Sequence, residues 1–460
     1  MKNRIIRYVW LCALIFLVAL QHPLAAQEKD NAWTLRQCIL FGLEHNVSVK
    51  QFELAKEQQE ITVETTRFSR LPDLNANLGQ TFYFGRTPDR DGVYRDQTGS
   101  NASLGVQSTV NLFNGFRITH QLQAEKMELL AATEDLYRAQ EDVALAITGY
   151  YLQVLMCKEL LQIARDQLEL NRKQVEQTQL LVDAGKSPES DLYDARSSYA
   201  QQQVQVTEAS GNLHLALLEL AQSMNLQDME GFDVIEPDSS EDIQYGMEAL
   251  VLPAEAYAHS VHERPGIRAA SYRLESSHKE WQAVRSAYYP TLNLGVGYSN
   301  SYYYNYQLAA GLSNASLADQ MARNSAQSIG ISLGIPLFNR MATRNRVRAA
   351  RLQVQSRELL LDKEKQELYK EVQQAYYKAV AAHETYKTSV MAEEAARLAY
   401  AFEEQKFAAG RSNLYAFDMA RTRLATARSE LAQSKYNFLF RSRILAFYNG
   451  EDLTRFFLPR

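Results

Sequence analysis

Hydrophobic positions along this chain follow two periods, and the switch between them falls at two prolines. Thr34-x-x-Gln37 has the spacing of a capping box and opens a short helix to about His45. A second helical stretch runs from about Asn46 to Ser69, and its counterpart opens at Arg264-Pro265 with proline at the first helical position. Pro72 and Pro290 close these helices. Beyond each proline the period becomes 2. Leu74, Ala76, Leu78, Phe82 and Phe84 alternate with small polar residues, as do Ala102, Leu104, Val106, Val110 and Leu112. Leu292, Leu294, Val296 and Tyr298 repeat the pattern, and Ile329, Ile331, Leu333, Ile335 and Leu337 repeat it again. These spacings predict four strands at about 73–85, 101–112, 291–304 and 326–337.

The alternating partners are Gly, Ser, Asn, Thr and Gln, with almost no charge. One apolar face and one uncharged polar face over about ten residues is the dyad pattern of a transmembrane β-barrel wall. A soluble antiparallel sheet with one buried face shows the same alternation. The long polar loops at 85–100 and 305–324 favour the wall. So do the aromatic clusters Phe82, Tyr83, Phe84 and Tyr302, Tyr303, Tyr304, which fit an interfacial girdle; ordinary strand packing is the other reading. Four strands cannot close a barrel, because the smallest have eight and an open edge in lipid leaves unpaired N–H and C=O groups. Several chains must share one ring.

After each strand pair comes Leu-Phe-Asn and a very long helical stretch. From about Arg117 to Val182 there is no proline and one glycine, Gly149, which gives a rod on the order of 100 Å. Ile147, Val154, Leu161, Leu168, Val175 and Val182 hold a strict seven-residue spacing, the seam of a left-handed coiled coil. The stretch from Met341 to Ala408 repeats it more weakly. Each rod ends at a reversal, Gly185-Lys186-Ser187-Pro188 or Gly410-Arg411-Ser412-Asn413, with glycine suited to the left-handed position and serine placed to cap the returning helix. The return runs to about Ser223 in one case and Phe447 in the other.

These elements form a duplication. Pro72 and Pro290 are 218 residues apart. From Leu112-Phe113-Asn114 and Leu337-Phe338-Asn339 onward the offset is a constant 225, pairing Tyr151 with Tyr376, Gly185 with Gly410 and Arg196 with Arg421. Such a unit is too long for a solenoid repeat. The chain therefore divides into a leader at 1–26, a first repeat at 27–225 with its hairpin at about 117–223, a connection at 226–252 expected to be irregular, and a second repeat at 253–460 with its hairpin at about 341–447.

The leader reads as a secretory signal peptide: Lys2, Arg4 and Arg7 precede an apolar run from Tyr8 to Leu20 and a small-residue cleavage site at Ala25-Ala26. No later stretch reaches the ~18 apolar residues of a membrane-spanning helix. Removing the leader takes the net charge from −5 to −8, which argues against a nucleic-acid partner. Cys38 and Cys157 are expected as core residues, since two distant cysteines make no disulfide framework. His383-Glu384 lacks the second histidine of a zinc helix, and Gly185-Lys186-Ser187 lacks the preceding strand and glycine of a phosphate loop. No bound metal, cofactor or catalytic constellation is indicated, so the chain is not expected to be an enzyme. Arg340, Arg344, Arg346, Arg348 and Arg351 form a basic run just past the fourth strand; it reads as a solvated face or as a charged ring at the junction.

In this ordered set, over essentially the whole chain after the leader, the sequence resembles the TolC family of outer-membrane efflux and secretion channels. The resemblance implies a mainly α fold with a β portion: a homotrimer whose twelve-stranded barrel in outer-membrane lipid continues into a periplasmic helical tunnel. It implies passive export of cargo from an inner-membrane pump or ABC transporter, through a periplasmic adaptor docked at the tips Gly185, Lys186, Ser187, Gly410, Arg411 and Ser412. Small-molecule efflux is the expected cargo, with type I protein secretion as the alternative and a periplasmic coiled-coil adaptor as the rival class. The family closes its periplasmic end with aspartates six and nine positions past a tip glycine. Those positions are Asp191 and Asp194 in the first repeat and Ala416 and Met419 in the second, where Asp418 lies one place off. Asp191 and Asp194 share a helix face and under threefold symmetry would form two acidic rings; acids near a helix start also simply complement its dipole.

Overall fold

The computed structural model describes residues 32–88, 91–96, 98–236, 252–308 and 313–451. The leader and the expected cleavage site lie outside the described residues, as does most of the connection at 226–252. The described strands are β1 (Ala32–Trp33), β2 (Asn75–Tyr83), β3 (Arg86–Pro88), β4 (Tyr94–Asp96), β5 (Gly99–Phe113), β6 (Asp233–Val234), β7 (Thr291–Asn305) and β8 (Ala326–Gly334). The helices are α1 (Leu35–His45), α2 (Val47–Phe68), α3 (Arg117–Asp183), α4 (Glu189–Met224), α5 (Pro253–Glu263), α6 (Pro265–Arg285), α7 (Leu317–Arg323), α8 (Ala342–Ala408) and α9 (Leu414–Tyr448).

The four long strands form one antiparallel sheet in the order β2–β5–β7–β8. Below it the helices pack in the matching order, α2 on α3, α3 on α6 and α6 on α8. Each helix follows or precedes its own strand through a short join, so one layer continues the other. Further down, α3 and α4 form one long hairpin and α8 and α9 the other. The main core lies where α1, α3, α4 and α9 meet, around Leu35, Ile39, Ile147, Tyr151, Leu155, Leu220 and Leu439. Burial of these side chains contributes roughly 1.5–3 kcal/mol each. Tyr151 ties this core to the connection, donating its hydroxyl to the carbonyl of Ile235 at 2.6 Å.

Several expectations need correction. β8 stops at Gly334, short of 337, because Pro336 has no N–H to donate to a ladder. β2 opens at Asn75, two residues later than expected, although the Asp73 amide still bonds the Thr109 carbonyl at 3.0 Å. The connection expected to be irregular contributes β6, which pairs parallel with β1. The two polar loops carry the β3–β4 hairpin and the helix α7. The serines at the tips do not cap the returning helices. Pro188 occupies the N-cap of α4, and Asn413 caps α9 by accepting from the Ala416 amide at 2.9 Å. Ser187 donates to Asp191 at 2.5 Å and Ser412 donates to Glu403, because a carboxylate is the stronger acceptor.

The heptad seam holds only in the upper part of the first hairpin. Ile147, Val154 and Leu161 are buried, but nearer the tip the buried positions become Gln167, Asn171, Gln174 and Thr178. These polar residues recur at helical spacing, so the lower hairpin packs on a polar stripe, where Gln174 donates to Thr178 at 3.3 Å, in place of the expected Leu168, Val175 and Val182.

Candidate functional site

Strand register assigns every wall residue to a face, since directly paired residues of an antiparallel ladder point the same way. One face carries Leu78, Phe82, Leu104, Val106, Leu294, Val296, Ile329, Ile331 and Leu333. On the outer strands its apolar side chains stand open, with Leu78 83 % and Ile329 77 % exposed, while Leu104, Val106 and Leu294 on the inner strands are half-buried. The opposite face carries Asn75, Asn77, Thr81, Asn101, Ser103, Gln107, Asn293, Ser299, Ser328 and Ser332, interleaved with glycines and no charge. On it the Asn111 amide donates to the Asn293 side chain at 2.7 Å. A soluble sheet would leave the polar face wet and cover the apolar one; here, among the described residues, nothing covers Leu78, Ile329, Ile331 and Leu333, and only the loop end of this face, at Ser100 and Asn300, is buried.

The aromatic candidates split between these faces. Phe82, Tyr302 and Tyr304 share the apolar face near the loop end, whereas Tyr83 and Tyr303 sit on the polar face. Phe84 follows the end of β2 and is exposed. Only the first three can therefore lie in one interfacial belt with the apolar wall.

Above Ser299, strand β7 has outrun β8, and its free edge is completed by side chains from the loop. Gln320 accepts from the Tyr303 amide at 2.9 Å and donates to the Tyr303 carbonyl at 2.8 Å. Asn314 does the same for Asn305, at 2.8 and 2.9 Å, and Asn324 donates to the Ser301 carbonyl at 2.7 Å. Primary amides present one donor and one acceptor side by side, as a neighbouring strand does. Nothing in the local sequence pattern marks these residues; only the count of unpaired edge groups would have suggested them.

At the far end both tips close identically. Gly185 and Gly410 adopt φ of +69° and +67°. The following amides, of Lys186 and Arg411, bond back to Leu181 and Lys406 at 2.8 Å, which is the Schellman pattern. The tip residues are largely exposed. Just past the first tip, Asp191 accepts from Ser187 and Asp194 is exposed. Asp418 differs: it pairs at 2.9 Å with Arg421, whose side chain is buried. Burial pushes the Asp418 carboxyl above the ordinary carboxylate range, and the Arg421 guanidinium pulls it partly back. The structure thus puts Asp191 and Asp194 on α4 and Asp418 on α9, one set open and the other paired within its own helix.

Cys38 and Cys157 are free and buried, and burial pushes the Cys38 thiol up to about 12. Among the described residues no cluster of three metal-ligating side chains occurs, and no helix is long and apolar enough to cross a membrane, which says nothing of a β-wall.

Comparison with known proteins gives the same two-part pattern. The family described as "Outer membrane efflux protein" matches residues 42–226 and again 257–451, one match for each repeat. Among curated relatives, the outer membrane efflux protein BepC of Brucella suis biovar 1 is 22 % identical over 270 residues, 59 % of this chain and 53 % of BepC. The chain thus spans about half the length of that relative. The proteases secretion protein PrtF of Dickeya chrysanthemi is 22 % identical over 84 % of this chain and 81 % of its own. Among solved structures, CusC superposes with a TM-score of 0.74 at 17 % identity, covering 91 % of this chain and 92 % of that one. The Campylobacter jejuni CmeC outer membrane channel superposes with a TM-score of 0.71 at 16 % identity, covering 93 % and 88 %.

Proposed function

The chain belongs to the outer membrane efflux protein family, and on that premise we propose that three copies close one twelve-stranded barrel and form an export duct. The observation that carries this reading is the four-stranded sheet with an uncovered apolar face, an uncharged polar face and two open edges. Strands β2 and β8 each leave one side of a nine-residue ladder unpaired. In lipid such edges cost on the order of tens of kcal/mol per chain, because every unsatisfied backbone group costs several. Pairing β8 of one copy with β2 of the next removes that cost and places Asn, Ser, Gly and Gln around a lumen.

In this reading the helical layer α2–α3–α6–α8 continues the lumen into the periplasm. Its Gly185 and Gly410 tips receive a periplasmic adaptor and an inner-membrane pump, and the acids Asp191 and Asp194 narrow the entrance. The duct does no chemistry; its wall is uncharged so that cargo passes without being held. Small-molecule efflux is the favoured cargo, in line with the family description and with BepC. Protein secretion is the second reading, favoured by PrtF, a proteases secretion protein that matches most of this chain.

Light scattering of the detergent-extracted protein tests assembly: a mass of three chains is expected, and a monomer that needs no detergent would remove the duct. Planar bilayers containing the trimer should then conduct. Cargo is decided by partners, with co-purification of a drug-type pump expected and of a protein-exporting ABC transporter favouring the second reading.

A further inference from the structure

The basic run that opens α8 is not accounted for by the duct. Between Asp319 and Glu358 the chain has no acidic residue, yet Arg340, Arg344, Arg346, Arg348 and Arg351 fall within it. All five are exposed. None has an ion-pair or hydrogen-bond partner among the described residues. The next arginine down, Arg357, already lies in the field of Glu128 and Glu280. The duplication supplies a control. At the constant offset of 225, the places of Arg344, Arg348 and Arg351 are held in the first repeat by Thr119, Gln123 and Lys126. That helix makes the same join to its strand with a cation at one of the three places, Lys126, so the fold itself does not require the charges at Arg344 and Arg348.

Backbone geometry fixes which way they point. On β7, Tyr303 and Asn305 have side chains on the polar face and turn their N–H and C=O groups toward the β8 side, where α7 meets them. For L-residues this sets β8 to the left of β7 when the apolar face is viewed with the loops uppermost. The helices keep the order of the strands, so α6 lies to the right of α8 in that view. Seen down α8 from its first residue, positions step clockwise by about 100°. Its buried residues Thr343 and Val354 mark the side toward α6. A quarter-turn clockwise from them is the side continuous with the apolar wall, and there stand Arg344, Arg348 and Arg351. Arg346 lies on the opposite side, continuous with the polar face.

Depth agrees with direction. The apolar surface runs through Ile335, Leu337 and Phe338, all widely exposed, before the first arginine. The three residues of the stripe lie about 3, 9 and 14 Å below the start of α8, beside a headgroup zone roughly 5–8 Å deep. Helical side chains lean toward the N-terminus, here toward the membrane, and long arginine stems extend that reach.

We propose that Arg344, Arg348 and Arg351 form an outward basic stripe that binds the headgroups of anionic phospholipids in the leaflet bordering the tunnel. The proposal rests on the reading of the sheet as a membrane wall. The guanidinium fork suits phosphate oxygens, and among the described residues of its own chain no carboxylate pairs with it.

The test uses the full channel, purified in mild detergent and mixed with equal phosphatidylglycerol and phosphatidylcholine, with retained lipids counted by native mass spectrometry. The wild type is expected to keep phosphatidylglycerol preferentially. The triple variant R344Q/R348Q/R351Q should lose that preference, by roughly fivefold for each arginine, and R346Q should keep it. Undiminished preference in the triple variant overturns the proposal, and so does an equal loss in R346Q, which would mark a lumenal ring. Displacement of phosphatidylglycerol by inorganic phosphate at the same concentration also overturns it, as a soluble-anion site. The oligomeric mass of the same wild-type sample is read alongside: a monomer fails the channel reading itself, and shows in the mass before any lipid ratio is taken.

Discussion

Gly115 sits at the join between β5 and α3 with φ of +66°, followed by Phe116 at the same φ, and a Cβ built on it would lie 2.7 Å from the backbone oxygen of Ser286. The second repeat makes the same double left-handed turn with Arg340 and Met341, at φ of 55° and 63°. The two joins therefore invite opposite substitutions. Gly115→Ala incurs about 1–2 kcal/mol for a left-handed Cβ. It regains about 0.4–1 kcal/mol from the stiffer unfolded chain. The contact with Ser286 is against backbone, which cannot swing aside, so the net loss should be about 2–3 kcal/mol. Arg340→Gly removes the left-handed cost and gives up the same unfolded-state gain, for a net benefit of roughly 0.5–1 kcal/mol. At about 2 cal/mol/K per residue a chain of this length moves roughly 1 °C per kcal/mol. Thermal melting of the detergent-solubilised protein should thus fall by a few degrees for Gly115→Ala and hold or rise slightly for Arg340→Gly. Equal midpoints for Gly115→Ala and wild type would refute the reasoning, as would a larger loss at Arg340.

Three further outcomes can be checked independently. Burial raises the Glu128 carboxyl, with Arg273 and Arg357 opposing, and its Oε2 has no partner. A raised folded-state value means full stability below the ordinary 4.5 and loss as pH rises through the raised value. Glu128→Gln should therefore melt higher than wild type at pH 7 and match it below pH 4.5; a variant that melts lower at pH 7 would contradict this. Gln320→Ala should speed hydrogen exchange at the Tyr303 amide by roughly fivefold or more while leaving the Asn305 amide, held by Asn314, unchanged; unchanged exchange at Tyr303 would mean the edge is protected otherwise. Asp191→Ala with Asp194→Ala should raise single-channel conductance in planar bilayers, and unchanged conductance would assign closure to other residues.

Much of the architecture was legible because period-2 alternation and long proline-free stretches are local signals. The apolar residues from Leu292 to Val296 and from Ile329 to Leu333 could be assigned to one face from sequence alone, since no charge interrupts either face. The constant offset of 225 did the rest by making each element predict its twin. The helix α5 has only one local mark, Pro253 at its first helical position. What failed was non-local. The seam of α3 drifts from Val154 to Gln167 and Gln174 because α4 packs there, which heptad counting cannot see. Ser187 and Ser412 looked like caps by position, but their partners Asp191 and Glu403 sit four and nine residues away. The amide edge formed by Asn314, Gln320 and Asn324 is invisible locally, because polar loop residues gain meaning only beside an unpaired strand. For the tip region, glycine at the turn was readable from its left-handed demand. The pairing of Asp418 with buried Arg421 was less so, since spacing alone does not say which of two acids is solvated.

An export duct requires a sheet with lipid on one side and water on the other. Single cysteines placed at Ser328, Ile329, Ile331 and Ser332 in intact outer membranes test it most directly, scored with a water-soluble maleimide and with a lipid-confined one. Ser328→Cys and Ser332→Cys should take only the water-soluble reagent, and Ile329→Cys and Ile331→Cys only the lipid-confined one. Water-phase labelling at all four positions would contradict it.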